Sequence, residues 1–134
     1  MKTTPIATIM TRDVVCVSPG QKIIDVKHIY EKQDFHHHIP VTEEGKLVGI
    51  VSLVDFMYRI HGAGLDDANP VYTSLTVKEI MTANPFALDK GASIEEAAQI
   101  LKKGDYHALP ILDGDKIAGI VSTADLIAYF LERG

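Results

Sequence analysis

The 134-residue chain has one cysteine, Cys16, and no tryptophan. A single thiol excludes an internal disulfide framework and fits a reducing compartment, the cytoplasm. No apolar run approaches the roughly 20 residues that cross a bilayer, so no membrane span is expected. Lys2 is the only charge in the first eleven residues, and no apolar core of a signal peptide follows it. Basic residues are in deficit, 13 against 18 acidic, for a net charge of −5. That balance argues against duplex nucleic acid as a partner. Catalytic signatures are missing too. There is no His-Glu-x-x-His, no glycine-rich phosphate loop and no nucleophile motif, so the chain does not read as an enzyme.

What the sequence does have is a duplication. Gly49-Ile50-Val51-Ser52 with Asp55 returns as Gly119-Ile120-Val121-Ser122 with Asp125, an offset of 119 − 49 = 70. Each copy reads as a buried, β-branched strand running into a helix, with Ser and Asp at the junction. Capping accounts for both residues on its own: Ser is a preferred N-cap, and Asp at the third helical position suits the positive end of the helix dipole.

The rest of the chain repeats as well. Ile9-Met10-Thr11 recurs as Ile80-Met81-Thr82 at an offset of 71. Short buried strands are expected at Val14–Val17 and Phe86–Leu88, with Cys16 a small core residue matched by Ala87. Ile23, Val26, Ile29 and Tyr30 predict a helix from about Lys22 to Lys32, followed by a polar connection from Gln33 to His38. Its counterpart starts at a Ser93…Glu96 capping box and ends near Gly104. Ile39-Pro40-Val41 and Leu109-Pro110-Ile111 open hairpins that turn at Glu43–Lys46 and Asp113–Lys116. The unit β-α-β-β-α therefore occurs twice. The expected division is repeat one at 9–60, a turn-rich connector at 61–76 and repeat two at 77–134.

The order Met-Thr, strand, helix, His-x-Ile/Leu-Pro, acidic hairpin, Gly-Ile-Val-Ser-x-x-Asp, helix resembles the CBS (cystathionine beta-synthase) domain. Two copies resemble the tandem pair called a Bateman module. The resemblance implies a mixed α/β (α+β) fold of two pseudo-two-fold related repeats packed sheet to sheet. It implies clefts between them for adenine nucleotides or adenosyl ligands, namely AMP, ADP, ATP or S-adenosylmethionine, and a regulatory role. By the same resemblance Asp55 and Asp125 are the ribose-binding carboxylates, with Ser52 and Ser122 beside them. One carboxylate can accept from both hydroxyls of a ribose. Apolar walls for adenine are implied around Arg12, Val14 and Val15, around Asn84 and Phe86, and at Ile39, Pro40, Leu109 and Pro110.

His37, His38 and His107 match positions that face phosphates in nucleotide-binding relatives. Histidine there would make binding sensitive to pH. Two other readings of His36-His37-His38 stand beside it: solvated loop residues, or a metal site, which three consecutive residues serve poorly because neighbours on a strand face opposite ways. No metal and no required cofactor are expected. The alternative to ligand sensing is an interaction module with empty clefts, signalling to an effector protein that the sequence leaves unknown. A homodimer is expected through the last helix of each repeat. Phe56-Met57-Tyr58 and Tyr129-Phe130-Leu131 are consecutive and cannot all turn inward.

Overall fold

The computed structural model describes residues 4–32 and 37–133 and shows a mixed α+β chain. It divides into two compact units, one of Val15–Pro85 and one of Met1–Val14 with Phe86–Gly134.

The Val15–Pro85 unit contains α1 (Ile23–Tyr30), β1 (His38–Glu43), β2 (Lys46–Ser52), α2 (Leu53–Ile60), α3 (Val71–Ser74), α4 (Val77–Ile80) and β3 (Thr82–Ala83). β1 and β2 pair antiparallel from His38↔Ser52 to Glu43↔Lys46. Their turn has Glu44 and Gly45 at φ 54° and 82°, the left-handed pair that matches hairpin twist. β3 lies antiparallel on β2, with Gly49↔Ala83 and Ile50↔Thr82. The core takes Ile23, Val26 and Tyr30 from α1, Ile39, Val41 and Val51 from the strands, and Phe56 and Ile60 from α2.

The other unit contains a 3-10 turn (Ile6–Thr8), β4 (Leu88–Asp89), α5 (Ile94–Leu101), β5 (Ala108–Asp113), β6 (Lys116–Ser122) and α6 (Thr123–Arg133). β5 and β6 repeat the register of the first hairpin, from Ala108↔Ser122 to Asp113↔Lys116. α5 starts at the expected capping box: Glu96 N donates to Ser93 Oγ, and Ser93 N to Glu96 Oε1, both at 3.0 Å. Past its end Gly104 takes φ +83°, a conformation open to glycine at little cost.

The leading segments are exchanged between repeats. Thr11, near the start of the first repeat, bonds Ile120 of β6 in both directions, at 2.9 and 3.0 Å. Ile6 N donates to Ala92 O at 2.6 Å, and Ile6 is fully buried beside Ile94 and Val121. Thr82, near the start of the second repeat, lies on β2 of the first. The stretches 9–60 and 77–134 counted along the chain and the two compact units are different divisions of it.

Three local expectations change. The strand expected over Val14–Val17 is reduced to one bridge, Val17 to Val41, because Val14 N turns back to Arg12 O at 3.0 Å. Of Phe86–Leu88 only Leu88 enters a strand. The connector is not an open loop. It carries α3, with Val71 N held by the Asn69 side chain at 3.0 Å and Tyr72 fully buried. Tyr72 donates to Gly64 O at 2.6 Å, and burial of its ring is worth on the order of 1.5–3 kcal/mol. Lys27, 3% exposed, reaches Asp67 from α1 at 2.6 Å. The connection expected at Gln33–His38 lies mostly outside the described residues, which begin again at His37. Among the described residues no helix is long and apolar enough to cross a membrane.

Candidate functional site

Each hairpin ends in a serine that starts the following helix, because extended backbone there leaves the first helical N–H groups without partners. Ser52 sits at φ −97°, ψ 154° and accepts Asp55 N at 3.0 Å. Ser122 accepts Asp125 N at 3.1 Å, and Asp125 Oδ2 accepts Ser122 N at 2.8 Å. The second copy is thus a full capping box. In the first copy no hydrogen bond reaches the Asp55 carboxylate among the described residues. Both aspartates are half-buried.

The histidine positions come to the same ends. His37 O accepts Leu53 N at 2.7 Å, and His107 O accepts Thr123 N at 3.0 Å. His38 is the strand partner of Ser52, and Ala108 that of Ser122. The Val15–Pro85 unit therefore gathers His37, His38, Ser52 and Asp55, and the other gathers His107, Ser122 and Asp125. His37 and His107 are exposed and His38 is half-buried. His36 lies outside the described residues.

The expected apolar walls divide into inward and outward groups. Ile39, Pro40, Leu109 and Pro110 are buried, Ile39 and Leu109 within the hydrophobic cores of their units. Val15 is 50% exposed and Phe86 44% exposed. Phe86 stacks on Tyr106, centroids 5.7 Å apart at 19°, forming an exposed aromatic shelf one residue before His107. Tyr106 was not singled out from sequence, since one aromatic in a polar loop gives no periodic signal. Val14 is half-buried. Asn84 does not join its unit's Ser/Asp end. It bonds Val48 O, four residues back along β2 from Ser52, at φ 50°. Arg12 likewise follows the Thr11–Ile120 bridge, and its guanidinium donates to Ala7 O at 2.9 Å.

Tyr30 is the other residue that sequence reading placed only in the core. Its hydroxyl donates to His37 O at 3.3 Å and Val51 O at 3.4 Å, tying the start of β1 to the end of β2. Burial pushes its ionisation well above the ordinary phenol range, and the nearby Asp55 charge adds to the effect. His28, Glu31 and Asp67 are the one metal-like grouping among the described residues. Lys27 Nζ, 2.6 Å from both carboxylates, fills it with an internal cation.

This architecture defines a duplicated strand–helix module, and comparison gives the family. The sequence profile of the CBS domain matches residues 6–62 and 77–132, and the chain belongs to that family. It is 29% identical over 128 residues to the Methanocaldococcus jannaschii protein MJ1225, spanning 45% of that protein and 90% of itself. Several of the curated relatives are likewise more than twice as long as the matched part. The crystal structure of MJ1225 superposes with a TM-score of 0.81 at 28% identity, over 96% of this chain and 48% of that one. CBSX2 of Arabidopsis thaliana, solved in complex with AMP, gives 0.81 at 22% identity, with 97% and 98% covered. The CBS pair of MJ0100, solved with 5-methylthioadenosine and S-adenosylmethionine, gives 0.81 at 23%, with 99% and 100% covered.

Proposed function

We propose that the chain is a regulatory module that binds adenosine-containing ligands, AMP, ADP, ATP or S-adenosylmethionine, at its Ser/Asp ends. The observation that carries the reading is the pairing, twice, of a half-buried carboxylate with a serine hydroxyl at a helix start, beside a histidine. A carboxylate there accepts from a vicinal diol, while hydroxyl and helix N–H groups suit phosphate or sugar oxygens. Exposed Val15 and the Phe86–Tyr106 shelf supply apolar surface for a base. The complexes of CBSX2 and MJ0100 support the ligand class. In this reading the module is not itself an enzyme and works in the cytoplasm by passing ligand occupancy to an effector protein.

Thermal shift with AMP, ADP, ATP, S-adenosylmethionine and a cyclic dinucleotide tests it. Ligand at 100 times its dissociation constant adds about 2.7 kcal/mol of stability. No shift with any adenosine compound refutes the reading.

The second reading, an interaction module, has its own observation. Val54, Met57 and Tyr58 on α2, and Ile127, Phe130 and Leu131 on α6, are more than half exposed. An apolar groove of about 370 Å³ runs along α5 and α6, lined by Leu101, Leu126, Phe130 and Leu131. We assign these faces to a homodimer, the commonest closed assembly.

A further inference from the structure

We propose that the two Ser/Asp ends are inequivalent: the Asp55 end is the tighter ribose site and fills first, with Tyr30 as its positioning residue. The inference rests on the ribose reading above.

The first observation is what each carboxylate is already doing. Asp125 Oδ2 is engaged by Ser122 N at 2.8 Å. A vicinal diol that uses both oxygens there must share Oδ2 with the Ser122 N–H or displace the cap. The Asp55 carboxylate meets no hydrogen-bond donor among the described residues, so both oxygens are available to the two hydroxyls at once. An acceptor that gives up only water on binding, and no protein donor, gives the larger net gain.

The second observation is what stands behind each end. Tyr30 is nine-tenths buried, and its hydroxyl joins the backbone of His37 and Val51, the two segments between which Ser52 and Asp55 are held. Its ring packs on Phe56, next to Asp55 in α2, at 5.5 Å, and Phe56 stacks on the buried Tyr72 at 6.4 Å. The first site is thereby fixed from the back by a chain of aromatic contacts. At the equivalent place, 30 + 71 = 101, the second copy has Leu101, which carries no hydroxyl and makes no such tie. A preorganised site loses less conformational freedom on binding. His38 adds an imidazole opposite Ser52 where the second copy has Ala108.

Titration calorimetry with AMP on the full chain tests the proposal, with Asp55→Asn, Asp125→Asn and Tyr30→Phe. Wild type shows two steps. The tighter step disappears in Asp55→Asn, weakened roughly 10- to 100-fold, and persists in Asp125→Asn. Tyr30→Phe keeps the ring and removes one neutral donor, so it weakens the tighter step by roughly 2- to 10-fold and leaves the weaker one unchanged. Circular dichroism confirms that each variant is folded. Titration of wild type with 2′-deoxy-AMP needs no variant, and the tighter step loses more than the weaker. Equal steps in wild type, loss of the tighter step in Asp125→Asn, or no effect of Tyr30→Phe overturns the proposal. Absence of any binding of AMP or adenosine to wild type overturns the ribose reading itself.

Discussion

Met10 lies against Gly119, so closely that a Cβ built on the glycine would stand 2.7 Å from Met10 Sδ and 2.6 Å from Thr11 O. Gly49 has the same relation to Met81, with Thr82 O at 3.1 Å. The glycine of each Gly-Ile-Val-Ser run is therefore a seat for a Met-Thr segment, and its role is close approach of backbone.

Gly119→Ala forces a methyl into carbonyl oxygen that cannot swing aside. It is expected to lower stability by about 1–3 kcal/mol, as overpacking does. Gly49→Ala costs less, because a flexible thioether is the main obstacle and Thr82 O lies farther away. Urea denaturation of both variants checks the order.

The exchange of segments decides which pieces fold alone. A fragment of residues 15–85 contains β3 and α4 and is expected to give a dispersed amide spectrum. A fragment of 1–62, which holds a complete repeat by sequence count, lacks the segment that covers β2 and is expected to be poorly folded. The reverse outcome refutes the division.

Much of this was readable from residue order. The 70- and 71-residue offsets, the two hairpins, the Ser93 cap and the Ser-x-x-Asp turns all rest on local patterns. Partnership of Met10 with Gly119 does not, since periodicity within a segment carries no information about which distant strand it joins. The helix and buried ring of the connector stayed hidden for a different reason. Gly62 to Pro70 reads as turn-forming, yet Tyr72 just beyond it is drawn wholly into the core by Phe56 and Lys27. At the site, Ser52, Asp55, Ser122 and Asp125 could be found from the duplication. Tyr30 could not be told from a core aromatic, and the bond of Asn84 to Val48 O, which sets it on β2, is a long-range contact that no local pattern encodes.

Replacing Asp67 by Asn should loosen the connector. Lys27 then keeps only Glu31, and limited proteolysis near the exposed Leu65 is expected to speed up several-fold with little change elsewhere. The pH sense follows from the two shifts. Hydrogen bonding to Lys27 and then to His28 holds Asp67 below its ordinary range, so its contribution is present above that range and is lost as pH falls through the lowered value. Lys27 is raised, first by Asp67 and then by Glu31, so its contribution is present below the ordinary lysine range and is lost as pH rises through the raised value. Cleavage of wild type should therefore be flat between the ordinary aspartate and lysine values, about pH 4 to 10, and rise outside that window.

Removing the cap return bond separates stability from binding. Asp125→Ala is expected to cost about 0.5–1.5 kcal/mol more folding stability than Asp55→Ala, because only Asp125 holds a backbone N–H. Thermal denaturation of the pair measures the difference.

Leu131→Glu places a charge on the apolar face of α6, where Leu131 is 76% exposed. If that face joins two copies, sedimentation equilibrium gives about twice 14.7 kDa for wild type and 14.7 kDa for the variant. A wild-type mass of one chain refutes the dimer.

The exchanged Met-Thr segments also bear on how such a chain can change over generations. The stretch that was copied to make two repeats is out of step with the stretch that folds. A substitution at Met10 is felt at Gly119 in the other repeat, and one at Met81 at Gly49. Neither repeat as counted along the chain is free to drift, be swapped for a foreign one or be lost by itself, and the portion that can be handed intact to another protein is a compact unit cut out of step with the repeats.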